Sequence, residues 1–234
     1  WVSCLSRFLL CSCTQDKFVM VAAPGQINAA INSGTDVTIQ TSAGSGGTGA
    51  IVVNGTADSG GAVAISNTSG GTRGLNLTTT GAINIHSGAS IAGSAGNALN
   101  VTLNATGGNT NAGTIDNSGG TLSIAGANLN LITGGALKNG TVTSSGTESI
   151  VVPANNSVTL DNMTLGMNLA INAADYYGVT VTVPNTLTLT NNAVVSLNAR
   201  YYGDALLNFS GASTTPTLTG TGQVTTSSSF GNYG

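Results

Sequence analysis

Eight carboxylates, one histidine and two tyrosine pairs are the residues of this 234-residue chain with chemistry to offer. The acids are Asp16, Asp36, Asp58, Asp116, Glu148, Asp161, Asp175 and Asp204, and no two lie within ten residues of each other. Neighbouring carboxylates could cleave a glycosidic bond as acid and base, or cradle calcium, but only a stacked fold could gather these. Asp36 and Asp58, separated by the length of one coil, are the pair such stacking would unite. His86 follows Ile83-Asn84-Ile85, so alternation turns it outward with Asn84. No nucleophile or carboxylate lies near it in sequence, and it reads as a solvated surface side chain. Cys4, Cys11 and Cys13 are odd in number and match no zinc spacing. No Gly-rich turn leads through Lys-Ser or Lys-Thr into a helix, as a phosphate loop would. Neither a catalytic residue nor a metal nor a cofactor is expected.

The tyrosines carry more information. Tyr176-Tyr177-Gly178 and Tyr201-Tyr202-Gly203 repeat at close to one coil length, inside two phrases that begin at Val152-Pro153 and Val183-Pro184. The spacing predicts that both pairs stack on one corner of neighbouring coils, with Asp175 beside Arg200. That ion pair would fix register while contributing only about 0.5 kcal/mol. Tyr176, Tyr177, Tyr201 and Tyr202 form a candidate contact patch for carbohydrate or a neighbouring subunit, with corner packing inside the chain as the plainer role.

Positioning such groups requires a scaffold, and residues 75–131 reveal its plan. Leu75-Asn76-Leu77, Ile83-Asn84-Ile85, Leu99 to Leu103, Leu122-Ser123-Ile124 and Leu129-Asn130-Leu131 alternate apolar with polar, separated by Gly, Ser and Asn. Period-two alternation places the aliphatics on one face of a strand. Runs so short cannot stand as isolated hairpins, so they must stack and share one apolar seam. The expected fold is all-β, a parallel β-helix or solenoid. At about 22 residues per coil and about 4.8 Å per rung, it would have roughly nine coils and a length of about 43 Å. Gln26 to Asn32 places Ile27 and Ile31 four apart, which suits two helical turns stopped at Ser33-Gly34. Residues 1–24 hold all the cysteines and the only tryptophan, and read as an N-terminal cap or a processed export segment. Residues 25–234 read as the solenoid, a segment of a longer repeat protein.

Composition narrows the function. Charged residues make up only 6% of the chain and aromatics 4%, with 34 glycines and a net charge of −3. Phosphate neutralisation would need a basic patch, so nucleic acid is not an expected partner. No apolar run is long enough to span a membrane as a helix. Nine Asn-x-Ser/Thr triplets occur, of which Asn76, Asn100 and Asn104 fall on strands and would line up as outward amide ladders. Thr78-Thr79-Thr80, Thr180, Thr182, Thr188 and Thr190 would suit an ice-binding face, yet they do not recur at one fixed period.

The phrases QINAAINSGTDVTIQTS, GTGAIVVNG, LNLTTTGAINIHSGASIAGSAGNALNVTLNA and NTNAGTIDNSGGTLSIAGANLNL follow one another. GGALKNGTVTSSGTESIVVPANNSVTLDNMTL, YYGDALLNFSGAS and LTGTGQVTTSSS then continue the series. Across most of residues 26–226 this resembles the filamentous-haemagglutinin-like large exoproteins of bacteria. An N-terminal secretion domain with Asn-Pro-Asn-Leu-type motifs is missing from the pattern. The resemblance implies a right-handed parallel β-helix, secreted and displayed on the cell surface as an adhesin or matrix component. Partners would be further copies of the chain or carbohydrate surfaces. The alternative on such a scaffold is a polysaccharide lyase or hydrolase, with ice binding as a third reading.

Overall fold

The computed structural model describes residues 11–14, 17–20, 24–42, 48–211 and 215–229. The strands from Val37 onward are short and pair parallel, arranged in an 8-stranded and a 13-stranded sheet. The alternating runs read from the sequence are all strands, and their aliphatic side chains are buried.

Three ladders take turns along the chain. The first is the 8-stranded sheet, running from Ile51–Val53 through Ile83–Ile85, Asn109–Asn111 and Leu129–Leu131 to Gln223–Ser229. A second ladder, from Ala64–Ser66 to Ala205–Phe209, and a third, from Val37–Thr41 to Thr217–Gly220, share the larger sheet. Ala136–Ser144 and Ser157–Leu165 join these two, since each pairs with second-ladder strands at its start and third-ladder strands at its end. The larger sheet therefore curls around a corner, giving a solenoid-like body.

In-register stacking creates continuous apolar columns. Leu75, Val101, Leu122, Val142, Leu165 and Leu189 follow one another up the third ladder, all at most 2% exposed. Ile65, Ile91, Ile115, Leu137 and Leu160 do the same on the second. Some buried positions are polar: Asn109 and Asn111 sit fully buried in the columns of Ile83 and Ile85, and Asn67 and Asn117 are fully buried as well. Asn109 Nδ2 donates to Ala127 O at 2.9 Å, and Asn111 Oδ1 accepts from the Gly113 amide at 3.0 Å.

The helix expected near residue 26 spans Pro24–Asn32, with proline at its start where a missing N–H costs nothing. Ile27 and Ile31 are buried in the core, so the helix covers one end of the stack. It stops where Gly34, at φ 92°, donates to Ile31 O while Thr35 donates to Ala30 O. That is a Schellman termination, which glycine accommodates without a Cβ penalty. Ahead of the helix, Cys11–Thr14 and Lys17–Met20 pair antiparallel. Most of the segment assigned to a cap or export signal, including Cys4, lies outside the described residues. Among the described residues no helix is long and apolar enough to cross a membrane.

Candidate functional site

Ladder pairing fixes how the tyrosine corner is built. Leu169 pairs with Val195 and Val179 with Ala205, so the offset between these coils exceeds the tyrosine repeat by a single residue. Between them lie two equivalent four-residue turns, closed by the Ala174–Tyr177 and Arg200–Gly203 bridges. Tyr176 therefore occupies the same turn position as Tyr202, and Asp175 the same position as Tyr201. Both Tyr176 (φ 65°) and Tyr202 (φ 60°) adopt the left-handed conformation at that position.

The expected Asp175–Arg200 pair is corrected by this offset, because Arg200 stacks over Ala174. The ion pair found among the described residues is another one, between Asp58 and His86. The two Val-Pro steps are not equivalent either. Val152 ends a first-ladder strand and Val183 a second-ladder strand.

The rings nevertheless converge. Tyr176 lies 5.3 Å from Tyr202 and 6.2 Å from Tyr201 between centroids, and Tyr201 lies 4.1 Å from Tyr202. These are edge-on or tilted contacts, which the ring quadrupole favours. A hydrogen bond with Tyr202 pushes the Tyr201 phenol upward from its usual range, as does partial burial. Tyr176, Tyr177 and Tyr202 are 66%, 56% and 71% exposed. Next to them a shallow recess of about 510 Å³ is lined by Asn172, Asn198, Arg200 and Ser227, among others. Asn198 Nδ2 donates to Asn172 Oδ1, and Ser227 Oγ to Asn198 Oδ1, both at 2.7 Å.

Carboxylates are spread over separate turns. Asp36 Oδ1 accepts from the Gly74 amide at 2.8 Å, whereas Asp58 Oδ2 accepts from the Gly55 amide at 2.6 Å. The two acids thus hold different turns and do not form the acidic pair that their spacing suggested. Asp116 accepts from Ser118 and Asn139, Glu148 from Gly126 and Gly146, and Asp161 from Asn185. Among the described residues no three His, Cys, Asp or Glu side chains come together as metal ligands.

His86 is outward-facing as expected, but it is not alone: Asp58 Oδ2 lies 2.7 Å from its Nδ1. The backbone hydrogen bond from Gly55 and the bond to His86 hold the Asp58 carboxyl below the ordinary carboxylate range. No sequence spacing signals this contact, because the two residues sit on successive coils joined by turns of unlike length.

Asn76, Asn100 and Asn104 do not stack on one another. Their ladder partners include Thr38, Gly74 and Thr78. An amide column forms instead at the corner between the second and third ladders. There Asn162 Nδ2 donates to Asn139 Oδ1 at 3.3 Å, and Asn139 Nδ2 to Asp116 Oδ2 at 3.0 Å.

Threonines align on the outer side of the third ladder. Thr121, Thr141, Thr164, Thr188 and Thr219 are ladder partners in succession. Two residues further along the strands, Thr102, Ser123 and Thr143 form a parallel column.

Comparison with protein families, with curated proteins and with solved structures gives no match.

Proposed function

We propose that the chain is a right-handed parallel β-helix from an exported bacterial surface or matrix protein, acting by contact and not by catalysis. One observation carries this reading. Among the described side chains the Phe, Tyr and Trp rings are Phe209 and four tyrosines, and the four tyrosines share one corner, where Tyr176, Tyr177 and Tyr202 lie largely in solvent and Tyr201 is half-buried. Aromatic rings held open to water are costly unless a partner covers them, and their flat faces suit the C–H surface of a sugar ring. The neighbouring amides, hydroxyl and guanidinium supply donors and acceptors for the ring's hydroxyls. The partner is therefore a surface carbohydrate.

Right-handedness follows the general rule for crossovers between parallel strands. The spacing of the phrases gives about nine coils, and the first ladder contains eight strands. Resemblance to filamentous-haemagglutinin-like exoproteins supports the extracellular setting.

The test is retention on a panel of immobilised polysaccharides, using the chain and its Tyr176→Ala and Tyr202→Ala variants. Retention by one or more glycans, lost in both variants with the circular dichroism spectrum unchanged, is the expected result. Retention that survives both substitutions, or no retention on any glycan, would overturn the reading.

A further inference from the structure

We infer that the outer face of the third ladder is an ice-binding surface, separate from the tyrosine corner. Five successive rungs place Thr121, Thr141, Thr164, Thr188 and Thr219 in one column. Thr143, two residues beyond Thr141, and Thr186 with Thr217, two residues before Thr188 and Thr219, widen the column into a grid. Parallel pairing sets its repeats: about 4.8 Å from rung to rung, and about 6.6 Å between alternate residues of one strand.

The grid is rigid and neutral. Each column threonine is followed by a lumen residue that is at most 2% exposed or, at the last rung, by glycine. Leu122, Val142, Leu165 and Leu189 pin the backbone beneath. Threonine is stiff at χ1. Hydroxyl contacts of 3.0 Å between Thr188 and Thr219, and 3.1 Å between Thr186 and Thr217, fix the rotamers further. No Asp, Glu, Lys or Arg interrupts the column from Thr121 to Thr219.

Those properties select the ligand. A charged group keeps its own tightly held hydration shell, and a sugar ring calls for an aromatic platform, which this face lacks. A repeating field of hydroxyls and methyls instead matches a surface that is itself a repeating, uncharged field of donors and acceptors. Each bond to such a surface is weak. A preorganised array pays the ordering cost once, however, so the bonds act together. Ice is the partner with that chemistry.

The test uses nanolitre osmometry for thermal hysteresis, and incorporation of the labelled chain into a growing ice hemisphere. Thr164→Tyr and Thr188→Tyr place a bulky ring mid-grid while keeping a strand-favouring residue. Thr110→Tyr, on the outer side of the first ladder, is the control. Hysteresis and ice incorporation by the chain and the control, both lost in the two grid variants, are expected. Exclusion of the folded chain from ice, or equal loss in the control, would overturn the inference. Sedimentation of the same proteins covers the remaining occupant. A dimer broken by Thr164→Tyr, with no ice affinity, would assign the face to a second copy and also overturn it.

Discussion

Tyr176 packs against Tyr202, 5.3 Å between ring centroids, and both hold left-handed backbone at the same position of successive turns. For a bulky L-residue that conformation costs about 1–2 kcal/mol. The ring contacts return about 0.5–1.5 kcal/mol. Tyr202→Gly removes both terms, so thermal unfolding should shift by no more than about 1 kcal/mol in stability. Carbohydrate retention should fall sharply in the same protein. A large loss of stability would show that the rings serve packing.

How far the chain was legible follows from what period-two patterning encodes. Leu75, Leu77, Ile83, Ile85, Leu122 and Ile124 announce their strands, because inward-facing aliphatics repeat locally. Ile27 and Ile31 announce the helix for the same reason. Register between coils is not local: it depends on turn lengths that vary. The tyrosine repeat is shorter by a single residue than the coil that carries it, and that difference sets Arg200 over Ala174 and not beside Asp175. A slip of one is the most damaging error a strand register can carry.

Variation in turn length hid the threonine column too. Its members stand at unequal intervals along the chain, lengthening toward Thr219, which conceals an alignment set by backbone hydrogen bonds. Asn109-Thr110-Asn111 carries no aliphatic side chain to announce a strand, yet its two amides stand where the neighbouring coil puts Ile83 and Ile85. Asn109 Nδ2 donating to Ala127 O and Asn111 Oδ1 accepting from the Gly113 amide offset part of the cost of that exchange, while Asn109 Oδ1 is buried without a partner.

The Asp58–His86 contact predicts an acid-sensitive fold. The folded-state pKa of Asp58 is lowered, chiefly by the Gly55 amide and then by His86. Its stabilisation is therefore complete above the unfolded carboxyl value of about 3.9 and is lost as pH falls through the lower folded value. Urea unfolding between about pH 5 and pH 2 should show a shallower acid limb in Asp58→Asn than in the unaltered chain. Identical limbs would mean that other carboxylates dominate acid unfolding.

Gly203 and Gly178 end the two tyrosine phrases but carry unequal constraints. A Cβ on Gly203 would overlap the Ala174 carbonyl oxygen and reach 2.9 Å from that of Tyr177. On Gly178 the nearest atom would be Asp204 O at 3.3 Å. Backbone atoms cannot swing aside as a side-chain tip can. Gly203→Ala should therefore cost about 1–3 kcal/mol and displace the tyrosines, and Gly178→Ala well under that. Denaturant midpoints with tyrosine fluorescence would check both effects. Equal costs would contradict the register that sets Tyr176 beneath Tyr202.

Asn117 and Asn100 look alike in the sequence, both following a strand-like run or lying within one, and the fold sets them far apart energetically. Asn117 is fully buried, and its Nδ2 donates to Leu99 O at 2.7 Å and Thr121 O at 3.3 Å. Asn100 is exposed, and its Oδ1 accepts from the Thr121 amide at 2.8 Å. Removing a buried amide leaves carbonyls that water cannot reach, at about 1–3 kcal/mol, whereas water replaces an exposed one. Asn117→Ala should lower the urea midpoint by that amount, and Asn100→Ala should leave it nearly unchanged. Asn117→Asp should be worse than alanine near neutral pH, since a carboxylate there meets carbonyl oxygens, and should recover as acid protonates it. A neutral-pH midpoint for Asn117→Asp above that of Asn117→Ala would contradict the buried donor geometry on which the coil-to-coil corner rests.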